Sequence, residues 1–480
     1  MTATTNQPLY GGWRRSRSMG IWSLNTPQTV IAMGAMLTPI LLLVVGGSPS
    51  TLVVTGPLAL VVIVLTVVQR HGMPLMSYAV GRARWSWAHM RGETSYRSVF
   101  LPAPECLDLP GMAAPTKLVR AESPDGGRAG LVWNQRTGSM TAALLLNPAG
   151  SLLSSASTVR AHVSAYGDVL ARLADEEGVQ GASVTLQITP FSGAALSDHV
   201  QGRLDPGAPK LARQTITELV DRAPRASASL TAWMSLVIDP ATSPQRPKGP
   251  AEAAAVTLGA LDAVDLGGAG VTVLRRATDL DIKRLVRGAF VPADRDAPAS
   301  QYEDLVWHEV GPVAAEDDWD SYQHDGYRSV SYVLREAPRK LVTYDVLLKL
   351  LAPGQFTRRV TLAYRVLPTE EAQSVVEREV NANEAREEYR QRTKRTSTRR
   401  ERVDKDRAER TAEEEALGAG MVQWSLYVTT TVADPADLGA ARREIDKAAR
   451  GAGGLRLRPA FGGQAAAMVV GLPVGIHPLL

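Results

Sequence analysis

Residues 19–69 read MGIWSLNTPQTVIAMGAMLTPILLLVVGGSPSTLVVTGPLALVVIVLTVVQ, fifty-one positions without one Asp, Glu, Lys or Arg. Two apolar runs lie inside, Thr29–Gly47 and Thr51–Val68, separated by Gly46, Gly47, Ser48, Pro49 and Ser50. A helix that crosses a hydrocarbon core of about 30 Å needs roughly 17–25 apolar residues. Each run reaches that length, and the break is built from helix-terminating residues. The pattern predicts a transmembrane helical hairpin over 29–68. Pro39 and Gly56-Pro57 predict kinks within it. A secretory leader carries one shorter apolar core and a cleavage site, and a second run follows here at once.

Arginines stand on both flanks: Arg14, Arg15 and Arg17 before the hairpin, and Arg70, Arg82, Arg84, Arg91 and Arg97 after it. Basic residues stay on the cytoplasmic side, so the expectation is a multi-pass protein of the cell membrane, the lipid bilayer its partner, with both termini cytoplasmic. Trp13, Trp22, Trp85 and Trp87 flank the runs, as interfacial indoles do. Trp85 and Trp87 alternate with Arg84 and Arg91, a pattern that fits a segment lying on anionic headgroups or the first element of the following domain.

The chain has 480 residues and a formal charge of +4, with 21% charged and 45% hydrophobic residues. These values are near the globular average, and the small positive excess is largely juxtamembrane arginine. Cys106 is the only cysteine, which excludes an intramolecular disulfide and a four-cysteine zinc site.

Beyond the hairpin, residues 69–116 read as a juxtamembrane segment and a Pro/Gly-rich linker, behind a basic N-terminus over 1–28. Residues 117–290 form a first α+β half. Gly130–Gln135 and Met140–Leu146 flank the turn signal Arg136-Thr137-Gly138 and predict a β-hairpin. Helices are expected over Ser155–Glu177, Lys210–Asp221 and Ala251–Val264, and strands over Val184–Thr189, Ser229–Ile238 and Gly270–Leu274. Thr278 suits the N-cap of a helix over Asp279–Gly288, with Asp279 and Asp281 in the first turn. Residues 291–326 connect irregularly to a second half, 327–480. There strands are expected over Tyr327–Leu334, Arg358–Leu367, Gln423–Thr431 and Leu455–Arg458, and helices over Tyr344–Leu351 and Pro435–Arg450. The fold class expected is α+β: a two-helix transmembrane hairpin, then a cytoplasmic region of two split-βαβ-like halves with a long charged helical arm over 369–417.

Motifs that carry chemistry are missing. No Gly-Lys pair occurs, so the phosphate-cradling loop is absent. His308-Glu309 runs into Val-Gly-Pro without a second histidine, Gly-x-Ser-x-Gly does not occur, and the seven histidines are scattered. Neither a catalytic set nor a cofactor or metal site is expected. Glu316-Asp317-Asp318 and Asp320 could gather a divalent cation, but such a run is more simply a solvated loop or helix start ahead of Trp319. The arm over 369–417 is basic in its middle, at Arg386, Arg390, Arg392, Lys394, Arg395, Arg399, Arg400 and Arg402. It fits a solvated helical hairpin, a partner-gripping arm or a nucleic-acid contact. Glu387, Glu388, Glu401, Asp404 and Asp406 interrupt the positive patch that phosphate binding wants. Those basic residues are the candidate partner-binding set, and direct nucleic-acid contact is not expected.

The arginine-rich start and uncharged hairpin, the segment Leu131–Leu146, the run Glu316-Asp-Asp-Trp-Asp-Ser-Tyr-Gln-His-Asp-Gly-Tyr327, the charged stretch before Trp424-Ser-Leu-Tyr-Val-Thr-Thr-Thr431 and the closing Gly462-Gly-Gln-Ala-Ala-Ala467 carry a resemblance. In this order the chain resembles actinobacterial integral membrane proteins encoded with conjugation-type (type IV-like) secretion components. The resemblance implies a PrgI-like membrane hairpin joined to a domain similar to the non-ATPase amino-terminal part of the traffic ATPase. It implies a non-catalytic component of a secretion or DNA-transfer apparatus. That component would dock a separate cytoplasmic P-loop ATPase and other secretion-complex subunits, and no catalytic residues come with it. An EccE-like subunit of a type VII system shares the same outline, and an enzyme with an unrecognised site is the alternative of a different class.

Overall fold

The computed structural model describes residues 26–45, 50–98, 108–122, 126–150, 154–176, 178–190, 200, 202–205, 207–222, 228–244, 246–338, 342–367, 371, 374 and 422–477. The described residues divide into two units, one within 26–94 and the other holding the remainder.

In the smaller unit, α1 (Thr26–Val44) packs against α2 (Ser50–Val67), followed by the two-residue strands β1 (Gln69–Arg70) and β2 (Met73–Pro74) and by α3 (Leu75–Met90). The expected transmembrane hairpin is corrected here: among the described residues no helix is long and apolar enough to cross a membrane. At 1.5 Å per residue, helices of 19 and 18 residues reach about 28 and 27 Å. Their apolar residues begin only at Val30 and Leu52, which leaves about 22–24 Å against a core of about 30 Å. Pro39 and Pro57 interrupt both. The multi-pass placement with both termini cytoplasmic rested on those spans and is withdrawn with them. In α3 the indoles have cationic partners of their own: the Arg82 guanidinium lies 4.5 Å from the Trp85 ring and that of Arg91 5.2 Å from Trp87.

The larger unit is organised by strands. β3 (Ser95–Arg97), β4 (Thr116–Glu122), β5 (Arg128–Asn134) and β6 (Met140–Pro148) precede α4 (Ala156–Asp175). β7 (Val179–Pro190), α5 (Lys210–Arg222), β8 (Ala228–Ile238), α6 (Pro250–Asp262), β9 (Val271–Arg276) and α7 (Asp279–Phe290) follow. Short helices α8 (Ser300–Glu303) and α9 (Trp307–Val310) lead to β10 (Ala314–Asp317), β11 (Tyr322–His324) and β12 (Tyr327–Glu336). The chain continues with α10 (Leu348–Leu351), β13 (Thr357–Val366), β14 (Val422–Val432), α11 (Leu438–Gly451), β15 (Arg456–Pro459) and α12 (Gln464–Val469). The expected helix over Tyr344–Leu351 is confined to its last turn.

All pairings are antiparallel, in the order β3-β10-β11-β12-β14-β13-β7-β8-β6-β5-β4, with β9 on β6 and β15 on β12. Within each half the order repeats: β9-β6-β8-β7 in one and β15-β12-β14-β13 in the other. The fold is therefore mixed helix and strand on one large antiparallel sheet, not two separate halves behind a membrane hairpin. The halves are fused by β7 and β13, paired from Arg358↔Ile188 to Arg365↔Gly181. Both strands are largely buried along their length, so leaving either as an open edge would strand backbone donors and acceptors.

The sheet is covered on both faces. Ala142, Leu144, Met234 and Leu236 meet Val169 and Leu173 of α4 and Leu258 and Leu261 of α6. Val330, Tyr332, Val360 and Val428 meet Leu350 and Ile445. Across the opposite face, Val132, Ala143, Ala363 and Tyr427 pack with Ile282, Val286 and Phe290 of α7 and with Met468, Val469, Leu472 and Val474 from the C-terminal segment. α7 starts at a capping box: the Thr278 hydroxyl accepts from Asp281 N at 3.2 Å, and the Asp281 carboxylate accepts from Thr278 N at 2.9 Å. Its first turn presses on β5 at Gly130, where a Cβ would come within 2.6 Å of the Asp279 backbone nitrogen.

Candidate functional site

The sheet face beneath α7 carries an unusual buried band of polar side chains. Residues two apart on a strand share a face, which places Ser329 and Ser331 of β12, Thr429 and Thr431 of β14, Thr357, Arg359 and Thr361 of β13, and Thr185 and Gln187 of β7 side by side. Hydroxyls bridge the strands: Ser329 to Thr431 at 2.8 Å, Ser331 to Thr429 at 2.9 Å and Thr185 to Thr361 at 2.9 Å.

His324 of β11 caps one end of the band. Its Nδ1 lies 2.6 Å from the Phe290 carbonyl and its Nε2 lies 2.8 Å from Ser329 Oγ. A carbonyl only accepts, so Nδ1 carries the proton. Burial, the dominant influence, depresses the imidazole to about 4, and Nε2 of the neutral ring then accepts from Ser329. Ser329 Oγ in turn accepts from Thr431, which orients the chain of donors Thr431, Ser329, His324 toward the Phe290 carbonyl.

In the middle of the band sits Arg359, 4% exposed. Among the described residues no carboxylate pairs with it, and its Nε and Nη1 have no hydrogen-bond partner. Burial alone pulls its guanidinium down to about 10. Gly471 lets the C-terminal segment lie flat on this side chain, since a Cβ there would fall 3.1 Å from Arg359 Nε and 2.9 Å from Thr361 Oγ1. Arg359 also lines a small cavity with room for one water-sized particle, between Gln187, Thr357, Thr429 and Thr431 of the sheet and Gly288, Ala289 and Pro292 at the end of α7.

The residues singled out from sequence lie elsewhere. Arg386, Arg390, Arg392, Lys394, Arg395, Arg399, Arg400 and Arg402 fall outside the described residues. The acidic run 316–320 is strand at its start and loop at its end: Glu316 and Asp317 belong to β10, hairpinned to β11, and Asp318 to Asp320 lie in the loop between them. Its carboxylates diverge, Asp317 accepting from Ala465 N at 3.1 Å, Asp318 3.6 Å from Arg328 and Asp320 2.9 Å from Arg442. Among the described residues no group of His, Cys, Asp and Glu could hold a metal ion. The buried band was not anticipated. Its signal was Arg358-Arg359 near the start of a strand whose later residues are mostly apolar.

The titrations set a pH dependence. Burial depresses His324 and His477 to about 4, below the ordinary 6.5. The unfolded chain takes up those protons first, so their stabilisation is complete above pH 6.5 and is lost as pH falls toward 4. Asp317 acts in the opposite direction: burial, only partly offset by hydrogen bonds from the Ala465 and Gln464 backbone, raises it to about 6. Its contribution is present below pH 4 and lost as pH rises to 6. Stability is expected to fall from pH 7 to 4.5, because two histidines outweigh one carboxylate. Asp317→Asn should add about 3 kcal/mol at pH 7 and almost nothing at pH 4, steepening the fall. Urea denaturation at both pH values checks this; an equal shift at each would refute it.

The chain matches no protein-family model, and no curated protein matches it.

Proposed function

We propose that this chain is a non-catalytic docking subunit of a conjugation-type (type IV-like) secretion or DNA-transfer apparatus, engaging a separate P-loop ATPase and sister subunits. The observation that carries the reading is the outer face of α5. Leu211, Ala212, Ile216, Leu219 and Val220 occupy one half of its circumference, and Leu211, Ile216 and Leu219 are 74%, 40% and 60% exposed. Large apolar residues on one side of an exposed helix mark a partner surface. The absence of any Gly-Lys pair assigns energy coupling to another chain, and the order of sequence features supports a conjugation-type machine. The membrane anchor that belongs to the resembled family is not part of this reading.

Replacing Leu211 and Leu219 together with Ser is expected to weaken capture of the ATPase at least about tenfold while thermal stability stays within about 1 kcal/mol, because neither side chain is buried. Undiminished capture by the doubly substituted chain would remove α5 from the interface.

A further inference from the structure

We propose that the cavity beside Arg359 is a binding site for a single halide-sized anion, chloride in the simplest case. A guanidinium never loses its proton at ordinary pH, so Arg359 carries a full positive charge inside the sheet-helix sandwich. A buried charge without a partner is costly, and native structures compensate such charges. Among the described residues the side chains lining the cavity carry no compensating charge: Thr429, Thr431, Thr357 and Gln187 are neutral, and Gly288, Ala289 and Pro292 are apolar. His324, the nearest ionisable group on β11, is neutral and keeps both ring nitrogens occupied by Phe290 and Ser329.

Two donors without a partner belong to a side chain that lines the space. Arg359 offers Nε and Nη1, neither of which has a partner. Thr357 and Gln187 lie on the flanking positions of the same face and can add a hydroxyl and an amide N–H. A space this small favours a monatomic anion over phosphate, sulfate or a carboxylate side chain, each of which is larger. Water in that space would satisfy the N–H groups but leave the charge. Gly471 leaves no room for a side chain beside Arg359 Nε.

The test is thermal unfolding of the full chain prepared in sodium gluconate and titrated with sodium chloride at constant ionic strength. The expected result is a saturable rise in Tm of about 3 °C or more, reproduced by bromide and not by sulfate. Arg359→Met abolishes that rise. Line broadening of the 35Cl resonance by the unmodified protein, reversed by bromide, gives the same answer without a variant, and Thr357→Val should weaken it. Identical Tm curves in chloride and gluconate, or a chloride response that survives in Arg359→Met, would overturn the proposal and leave water as the occupant.

Discussion

Glu444→Ala is expected to destabilise the larger unit by about 3 kcal/mol or more, among the largest effects of any single substitution outside the apolar core. Arg358 lies on β13 with its side chain 4% exposed and ion-pairs with Glu444 of α11, which is 24% exposed. Its Nη1 also donates to the Leu350 carbonyl at 2.8 Å, and the second oxygen of Glu444 accepts from Gln355 N at 3.2 Å. The pair therefore ties β13, α10 and α11 together. Gly354 makes room for it, since a Cβ at that position would overlap the Glu444 carboxylate. Removing the carboxylate leaves a buried guanidinium with only the Leu350 and Ala352 carbonyls. An exposed pair such as Arg91–Glu93, 60% and 58% exposed, is worth under about 1 kcal/mol by contrast. Chemical denaturation measures the loss. The double variant Arg358→Met with Glu444→Leu should recover most of it, because an apolar pair of similar volume removes the charge instead of orphaning it. A loss below about 1 kcal/mol for Glu444→Ala would show that the pair is solvated in solution.

Phe290→Ala is expected to cost about 3–5 kcal/mol and to disturb the polar band as well. The ring is fully buried where α7 meets the sheet. It stands edge-on to Tyr322 at 6.5 Å and to His324 at 5.7 Å, while the backbone carbonyl of the same residue holds His324 Nδ1. Truncation opens a cavity beside the imidazole, and water entering it would relieve the burial that depresses His324. The His324 resonance should therefore titrate closer to 6.5 in the variant than in the parent chain, alongside the loss of stability. A destabilised variant whose His324 still titrated near 4 would mean that the ring packs against the imidazole without shielding it.

Much of the larger unit was legible because its signals are local. The turn Arg136-Thr137-Gly138 between two apolar runs specified the β5–β6 hairpin. Thr278 followed by Asp279 and Asp281 specified the start of α7, and the helical spacing of Val159, Val169 and Leu173 specified α4. What was not legible depends on partners distant in sequence. Nothing in β7 or β13 alone says that they pair with each other across more than 170 positions, yet that pairing turns two halves into one sheet. The uncharged run 19–69 was over-read, because the absence of charge reports only that a segment avoids ions. The length of continuous apolar helix decides whether it spans a bilayer, and Thr26–Val44 and Ser50–Val67 are too short. The acidic run 316–320 was legible in part: Asp318 and Asp320 sit in a loop, as the sequence suggests, while Glu316 and Asp317 belong to β10, whose alternate side chains point to opposite faces. Arg359 was not legible because arginines in a strand read as exposed edge residues until both faces of that strand are seen to be covered.

The measurement that bears most directly on the docking role is affinity capture of the full chain from its native cells, with mass spectrometry of the co-purifying proteins and the Leu211→Ser, Leu219→Ser chain as control. The reading predicts a conjugation-type P-loop ATPase in stoichiometric amount with the parent chain and its depletion from the control. Type VII core subunits in its place, or a parent chain that elutes alone, would contradict it.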